Sequence, residues 1–452
     1  MYRIRLLFAF FTFLMVLVWF RLFYWQILQG SKIQVLAGSQ HVGKFQVVAS
    51  RGEFYSSDGF PLVLNSEIYR VVVNPFELTD NEENVSKSIA ELVIKDEDLK
   101  RSRALQIIRE ASGATDSGLV HYTDVEKKTK IDEESSRLRN IFKQKELRWA
   151  QLYPEVTKEI KSEIEKLKIK SITLENAIGR MYPEASLSGT LSGILGYDVN
   201  GNPKGSYGLE GYYNGEISGK SGKLRQEQDA FGRALVGGDF RNISARNGSD
   251  LKLHIDRTAQ YIVQKKLQEG LSKYGAKDGS VVVMDPKTGA IIAMVSLPVF
   301  DPDVRKFFPT SWYKNPIVAD TYEPGSTFKT LVMAAGLDAG VINYNTICPV
   351  CSGPRKIDSF LIRTWNNKYM EKPTMLDILV NSDNTGMVYI GEKLGKEKMH
   401  EYLNNFGFGG NTGIDLEDES SLPLRDSKKL RTIDFATESF GQGIAVTPIQ
   451  MV

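Results

Sequence analysis

The sequence predicts an α+β protein hung from a single transmembrane helix, and three observations predict it. First, residues 6–20 (LLFAFFTFLMVLVWF) carry no charge, and the apolar character resumes past Arg21 to Leu28. Together they reach the roughly 20 residues that a bilayer core requires. Second, short β-branched or alternating runs (Phe45–Ser50, Ile68–Asn74, Asp250–Asp256) stand apart from long stretches of helical periodicity. Third, glycine-rich turns punctuate the chain from about residue 193 onward.

The totals narrow the class. A chain of 452 residues is long enough for two or three domains. Its net charge of +2 gives no electrostatic case for nucleic acid. Its two cysteines, Cys348 and Cys351, cannot form a disulfide framework. His41, His121, His254 and His400 show no metal-ligand spacing, and no H-E-x-x-H occurs, which argues against a metalloenzyme.

Arg3 and Arg5 precede the apolar stretch, so the positive-inside rule places the N-terminus in the cytoplasm. Arg21 and its aromatic neighbours fit the outer interface. No small-x-small cleavage site follows closely, so an uncleaved anchor is favoured over a signal peptide. Either reading exports the remainder.

Beyond Gln29, Asp58-Gly59 predicts a turn between the first two strands. Residues 79–170 are rich in Lys, Glu and Leu and read as helical. Within them Ile160–Lys168 (IKSEIEKLK) can pair its charges at i,i+3 and i,i+4, as the solvated face of a helix or as a partner-binding arm. Gly215-Glu216-Ile217-Ser218-Gly219-Lys220-Ser221 nearly spells a P-loop. It has three residues between the glycines where four are needed, and no apolar helix follows. A helix is expected over Thr258–Leu271, then a hairpin of Ser280–Met284 and Ala290–Val295 about Asp285-Pro286-Lys287-Thr288-Gly289. Cys348-Pro349-Val350-Cys351 lacks further zinc ligands and a thioredoxin-like setting, leaving a local disulfide or two free thiols.

The chemistry centres on Tyr322-Glu323-Pro324-Gly325-Ser326-Thr327-Phe328-Lys329-Thr330. Pro324 and Gly325 make a tight turn, and Phe328–Leu337 reads as a helix with an apolar face. Lys329 lies one turn past Ser326. A serine hydroxyl needs a base to become a nucleophile, and a lysine whose pKa is lowered by burial can be that base. Free N–H groups at the helix start can stabilise an oxyanion. Alone, S-x-x-K is weak, since any capping serine followed by a first-turn lysine matches it.

Ser382-Asp383-Asn384 changes the weighing. It falls between Pro373–Val380 and Thr385–Leu394, both read as helices, so it sits on a turn. Helix capping explains such residues in isolation. Downstream of S-x-x-K the pair matches serine acyl-enzymes that bind penicillin.

With these motifs the chain resembles a class B penicillin-binding protein, a membrane-anchored peptidoglycan D,D-transpeptidase. The resemblance covers nearly the whole length: Arg51-Gly52-Glu53-Phe54-Tyr55-Ser56-Ser57-Asp58-Gly59, Arg180-Met181-Tyr182-Pro183, Gly208-Leu209-Glu210, Thr412-Gly413-Ile414-Asp415-Leu416 and Phe440-Gly441-Gln442-Gly443 fall in the family's order. It implies a cytoplasmic tail (1–5), an anchor (6–28), an elongated α+β pedestal of the dimerisation type (29–245) and a penicillin-binding/β-lactamase-like transpeptidase domain (250–452) with an antiparallel sheet flanked by helices. Ser326 would be the nucleophile and Lys329 its base. Ser382 would relay a proton, and Asn384 would orient Lys329 and hold a substrate amide.

The substrates implied are peptidoglycan stem peptides, with β-lactams as covalent inhibitors, no cofactor, and a membrane-embedded SEDS-type glycosyltransferase as partner. The location implied is the cell membrane, crossed once, with the bulk outside the cytoplasm. Lys287-Thr288-Gly289 precedes the serine and belongs to a hairpin, so it is not the family's catalytic K-T-G. That strand lies further on in the family, and Val452 is reached without it. The chain as written is therefore expected to be incomplete at its C-terminus and inactive, an expectation that stoichiometric penicillin labelling would contradict. The alternatives are a serine D,D-carboxypeptidase or β-lactamase, a penicillin-sensing receptor, and a non-catalytic division or elongation scaffold.

Overall fold

The structure is a computed structural model that describes residues 2–30, 42–112, 121–199, 201–227 and 240–452. Its first element is the helix Tyr2–Phe23, which continues as a π-helical turn over Tyr24–Leu28. It begins four residues before the predicted apolar stretch and takes in Arg3 and Arg5. Among the described residues it is the one helix long and apolar enough to cross a bilayer. Arg21 lies over the Trp25 ring, 5.3 Å from its centroid, an arrangement suited to an aromatic interfacial belt.

The chain divides into two compact units. The first comprises residues 1–52 and 218–249. Its sheet is antiparallel, with Val42–Val47 against Gly222–Glu227 and the latter against Phe240–Ile243. Arg51 is buried there, and its guanidinium donates to Ser218 Oγ at 2.8 Å.

The second unit holds residues 53–217 and 250–452. Its organising strand is Pro61–Val73, thirteen residues rich in valine, with Val63, Val71, Val72 and Val73 buried. It pairs antiparallel with Ile172–Met181 over its last ten residues, from Leu64↔Met181 to Val73↔Ile172. Phe54–Tyr55 pairs with its start across the Asp58-Gly59 turn, where Gly59 takes φ +85°. Helices Glu82–Ser112, Asp124–Phe142 and Lys158–Lys166 cover this sheet, closing a core of Val71, Ile89, Leu138, Phe142, Leu152 and Ile164.

The helical reading of residues 79–170 needs one correction, because Ala150–Val156 is a strand against Pro61–Val73. It contains Pro154, and its register against the partner is irregular. Proline is tolerated in an edge strand at a bulge, and so few apolar residues in alternation leave little pattern to read. The predicted strand over Asp250–Asp256 is also shorter, only Leu251–Lys252, running parallel to Phe54–Tyr55.

The later part of this unit opens with Arg257–Tyr274, a helix capped by Asp256 and ended by Gly275 at φ +64°. Its Gln260 donates to Met294 O at 2.7 Å and accepts from Met294 N at 2.8 Å, pinning the helix to the hairpin Gly279–Met284/Ile291–Leu297. Lys287-Thr288-Gly289 sits at that hairpin's turn, where Thr288 Oγ1 donates to Asp285 Oδ2 and Gly289 N to Asp285 O. Another core, built mostly from helices, gathers Phe328 from the turn Gly325–Phe328 with Val332, Ile378, Met387, Ile390 and Phe435 from Lys329–Asp338, Met375–Val380, Asn384–Leu394 and Thr432–Glu438. Cys348 and Cys351, left open by the sequence, are joined as a disulfide with a Cα–Cα separation of 5.7 Å.

Candidate active site

Ser326 lies on the 3₁₀ turn Gly325–Phe328, which leads directly into the α-helix Lys329–Asp338. Residues three apart eclipse one another in a 3₁₀ turn, so Lys329 follows Ser326 on the same side. The serine is exposed and caps nothing. Its amide is in the first turn, where no intrahelical acceptor exists.

A loop from far along the chain sets the turn's geometry. Gly325 takes φ +58° and donates its N–H to Gly441 O at 2.9 Å. Gly443 N donates to Glu323 Oε1 at 2.8 Å, and Tyr322 exchanges both backbone bonds with Val446. At Gly441, φ is +80°, and a Cβ built there would stand 2.1 Å from Gly325 O. Only glycine fits so close to another backbone. Phe440-Gly441-Gln442-Gly443 is glycine-rich, and Gly441 and Gly443 both take positive φ. This turn grips the turn of Ser326, a relation that local sequence does not encode.

Lys329 is 1 % exposed. Its Nζ donates to Ser382 O at 2.8 Å, Ser382 Oγ at 3.0 Å and Asn384 Oδ1 at 2.6 Å, and none of these bonds reaches Ser326. Burial pulls its pKa down to about 8, against a smaller opposing pull from Asp383. Two of the three partners are carbonyl oxygens, which only accept. A neutral amine keeps two N–H donors for them and turns its lone pair to the third partner, the Ser382 hydroxyl, which is able to donate. The geometry is therefore suited to passing a proton between Lys329 and Ser382.

Ser382 holds this position at a cost. It takes φ +52°, in the left-handed region. Its N–H bonds to Leu379 O, and that of Asp383 to Ile378 O, which makes a Schellman ending for the helix Met375–Val380. Glycine usually fills this place. Asp383 is buried and starts the next helix: its Oδ1 accepts from Thr385 N at 2.7 Å, Gly386 N at 3.3 Å and Thr385 Oγ1 at 2.7 Å. The turn is thus locked from both sides, with the serine's carbonyl and hydroxyl both on the lysine. Asn384 is oriented by two bonds, accepting from Lys329 and donating Nδ2 to Arg363 O at 2.9 Å. One N–H of its amide is left over for a substrate carbonyl.

The structure thus brings Ser382 and Asn384 together on Lys329, with Ser326 one turn before the lysine. Arg363, whose carbonyl orients Asn384, carried no signal in the sequence. A further pair acts at a distance from the site. Arg180 Nε donates to Glu210 Oε1 at 2.7 Å, with side chains 2 % and 0 % exposed. Arg180-Met181-Tyr182-Pro183 and Gly208-Leu209-Glu210, read as motifs, are therefore the two halves of one buried ion pair.

Comparison with known proteins agrees with this architecture. Residues 46–253 match the family model described as the penicillin-binding protein dimerisation domain, and residues 279–452 match the penicillin binding protein transpeptidase domain. Stage V sporulation protein D of Bacillus subtilis (strain 168) is 32 % identical over 433 residues, which span 96 % of this chain and 61 % of that protein. Peptidoglycan D,D-transpeptidase FtsI of Escherichia coli (strain K12) is 28 % identical over 304 residues, 67 % of this chain and 50 % of that protein. A crystal structure of a peptidoglycan synthetase from Bifidobacterium adolescentis ATCC 15703 shares the fold, with a TM-score of 0.61 at 24 % identity over 91 % of this chain and 71 % of that one. The chain belongs to the class B penicillin-binding proteins. It spans 61 % and 50 % of the length of the two curated relatives named.

Proposed function

We propose that the protein is a peptidoglycan D,D-transpeptidase that works through a serine acyl-enzyme at Ser326, anchored by its N-terminal helix with the bulk of the chain outside the cytoplasm. The observation that carries this reading is the buried Lys329 amine, held by Ser382 and Asn384 one turn past an exposed serine.

In this reading, neutral Lys329 takes the Ser326 proton as Ser326 Oγ bonds to the carbonyl carbon of the penultimate D-Ala. The Ser326 N–H supports the oxyanion. The proton passes from Lys329 through Ser382 to the departing nitrogen as the C–N bond to the terminal D-Ala breaks. An amine of a second stem peptide then attacks the ester. Its nitrogen bonds to the carbonyl carbon, the C–O bond to Ser326 breaks, and the serine recovers a proton. No cofactor enters either half. β-Lactams acylate the same serine, and a SEDS-type glycosyltransferase in the same membrane supplies the glycan strand.

The test is turnover by the protein as its gene encodes it. A D-Ala-D-Ala stem peptide and an amine acceptor should yield free D-Ala and a cross-linked amide, and Ser326→Ala should abolish both. D-Ala release without any amide would make the protein a carboxypeptidase. Turnover that survives Ser326→Ala would remove the nucleophile assigned here.

A further inference from the structure

Behind the nucleophile's turn lies a cleft of about 290 Å³ that the acyl-transfer chemistry does not use. Its walls include Leu424, Ile444 and Ala445, and its charged groups are Glu323, Glu438 and Arg425. Glu438 closes the helix Thr432–Glu438 and is 6 % exposed. Among the described residues its carboxyl receives no hydrogen bond and no ion pair, although it lines the cleft. The nearby Arg425 guanidinium instead approaches Asp434, at 3.9 Å. Burial without a partner pushes the Glu438 carboxyl up to about 7, with Arg425 and Asp434 acting on it in opposite senses. An unpartnered buried carboxyl is costly, and a cation delivered from the cleft would remove that cost.

We propose that this cleft seats a primary ammonium on a short alkyl chain, namely the amine-bearing side chain of a peptidoglycan stem peptide. The apolar walls fit the methylenes and Glu438 takes the ammonium. Arg425 stands at the rim for a carboxylate such as a stem peptide carries. Glu323 ties the cleft to catalysis, because its other end is the turn of Ser326 and its Oε1 holds Gly443 N. The assignment of the ligand to a stem peptide rests on the transpeptidase reading. The ammonium site itself does not.

Calorimetric titration of the Ser326→Ala protein, which cannot be acylated in the reading above, tests the proposal. The probes are Nα-acetyllysine, Nα,Nε-diacetyllysine and a stem tripeptide ending in lysine. Nα-acetyllysine should bind at least tenfold more tightly than Nα,Nε-diacetyllysine, which lacks the ammonium, and the tripeptide more tightly still. Glu438→Gln should lose at least tenfold for both amine-bearing probes, while Glu438→Gln in the otherwise unaltered protein keeps covalent penicillin labelling. Equal binding of the two lysine derivatives overturns the site without any variant, so a failure of Glu438→Gln to fold leaves the test intact. Undiminished binding by Glu438→Gln overturns it too. A tripeptide that binds no better than Nα-acetyllysine overturns the stem-peptide assignment. Penicillin labelling reads the transpeptidase proposal separately: a protein that labels but binds no amine overturns the cleft alone.

Discussion

Ser382 Oγ stands 3.0 Å from Lys329 Nζ, and among the lysine's three partners that hydroxyl alone is able to return a proton. The other two contacts fix where the amine points, and this one gives it a route to exchange charge. The backbone that presents the hydroxyl is left-handed, so chemistry and stability pull in opposite directions at one residue.

That opposition is testable with two substitutions. Ser382→Gly relieves the left-handed conformation and should raise stability by about 1 kcal/mol. Ser382→Ala keeps the conformational strain and should raise nothing. Both should slow acylation by about 10²-fold or more, the range for loss of a proton-transfer group. Thermal melts and penicillin acylation rates read the two effects. A destabilised Ser382→Gly would show that the hydroxyl is there for structure.

The lysine's lowered pKa sets a pH profile. With a value of about 8, close to one amine in ten is neutral at pH 7 and half are neutral at pH 8. Acylation should therefore climb between pH 6.5 and 9 with its midpoint near 8, as stopped-flow labelling measures. For stability the sign also follows from proton counting. Between pH 8 and the ordinary lysine value of 10.5, the unfolded chain holds a proton that the folded one has released. Stability should rise with pH across that window, by up to about 3 kcal/mol, and Lys329→Met should lose this rise.

Gly441→Ala tests the grip on the turn of Ser326. An alanine there meets both a positive φ and the Gly325 carbonyl. The expected loss is about 2 kcal/mol or more from the two effects together, seen as a lower denaturant midpoint. Acylation should fall alongside it because Ser326 shares the displaced turn. An unchanged acylation rate in the folded variant would separate the two turns functionally.

The buried pair of Arg180 and Glu210 makes a purely structural prediction. Removing one partner leaves the other charged and dry, so Glu210→Ala should cost about 3–5 kcal/mol. Urea unfolding measures it. A cost near zero would mean that water or another group replaces the carboxylate.

Much of this was legible in the residues, for reasons that differ by element. The apolar helix, the Asp58-Gly59 turn and the hairpin about Asp285–Gly289 are local: periodicity and turn chemistry within a few residues specify them. Ser326, Lys329, Ser382 and Asn384 could be singled out because their spacing is a pattern. The strand Ala150–Val156 could not, because it interrupts a charged helical region and carries a proline. Nor could the pairing of Gly441 with Gly325 or the carbonyl of Arg363 on Asn384, since those contacts join residues far apart in the chain. The S-x-x-K spacing allows the lysine a place beside the Ser326 hydroxyl. The structure adds the hydrogen bonds of its amine to Ser382 and Asn384.

The most direct measurement is to map the adduct left by a penicillin on the protein as its gene encodes it. Proteolysis and mass spectrometry should find one penicilloyl group per chain, on the peptide containing Ser326, and none after Ser326→Ala. An adduct on another peptide, or none under conditions where the folded protein is intact, would contradict the account.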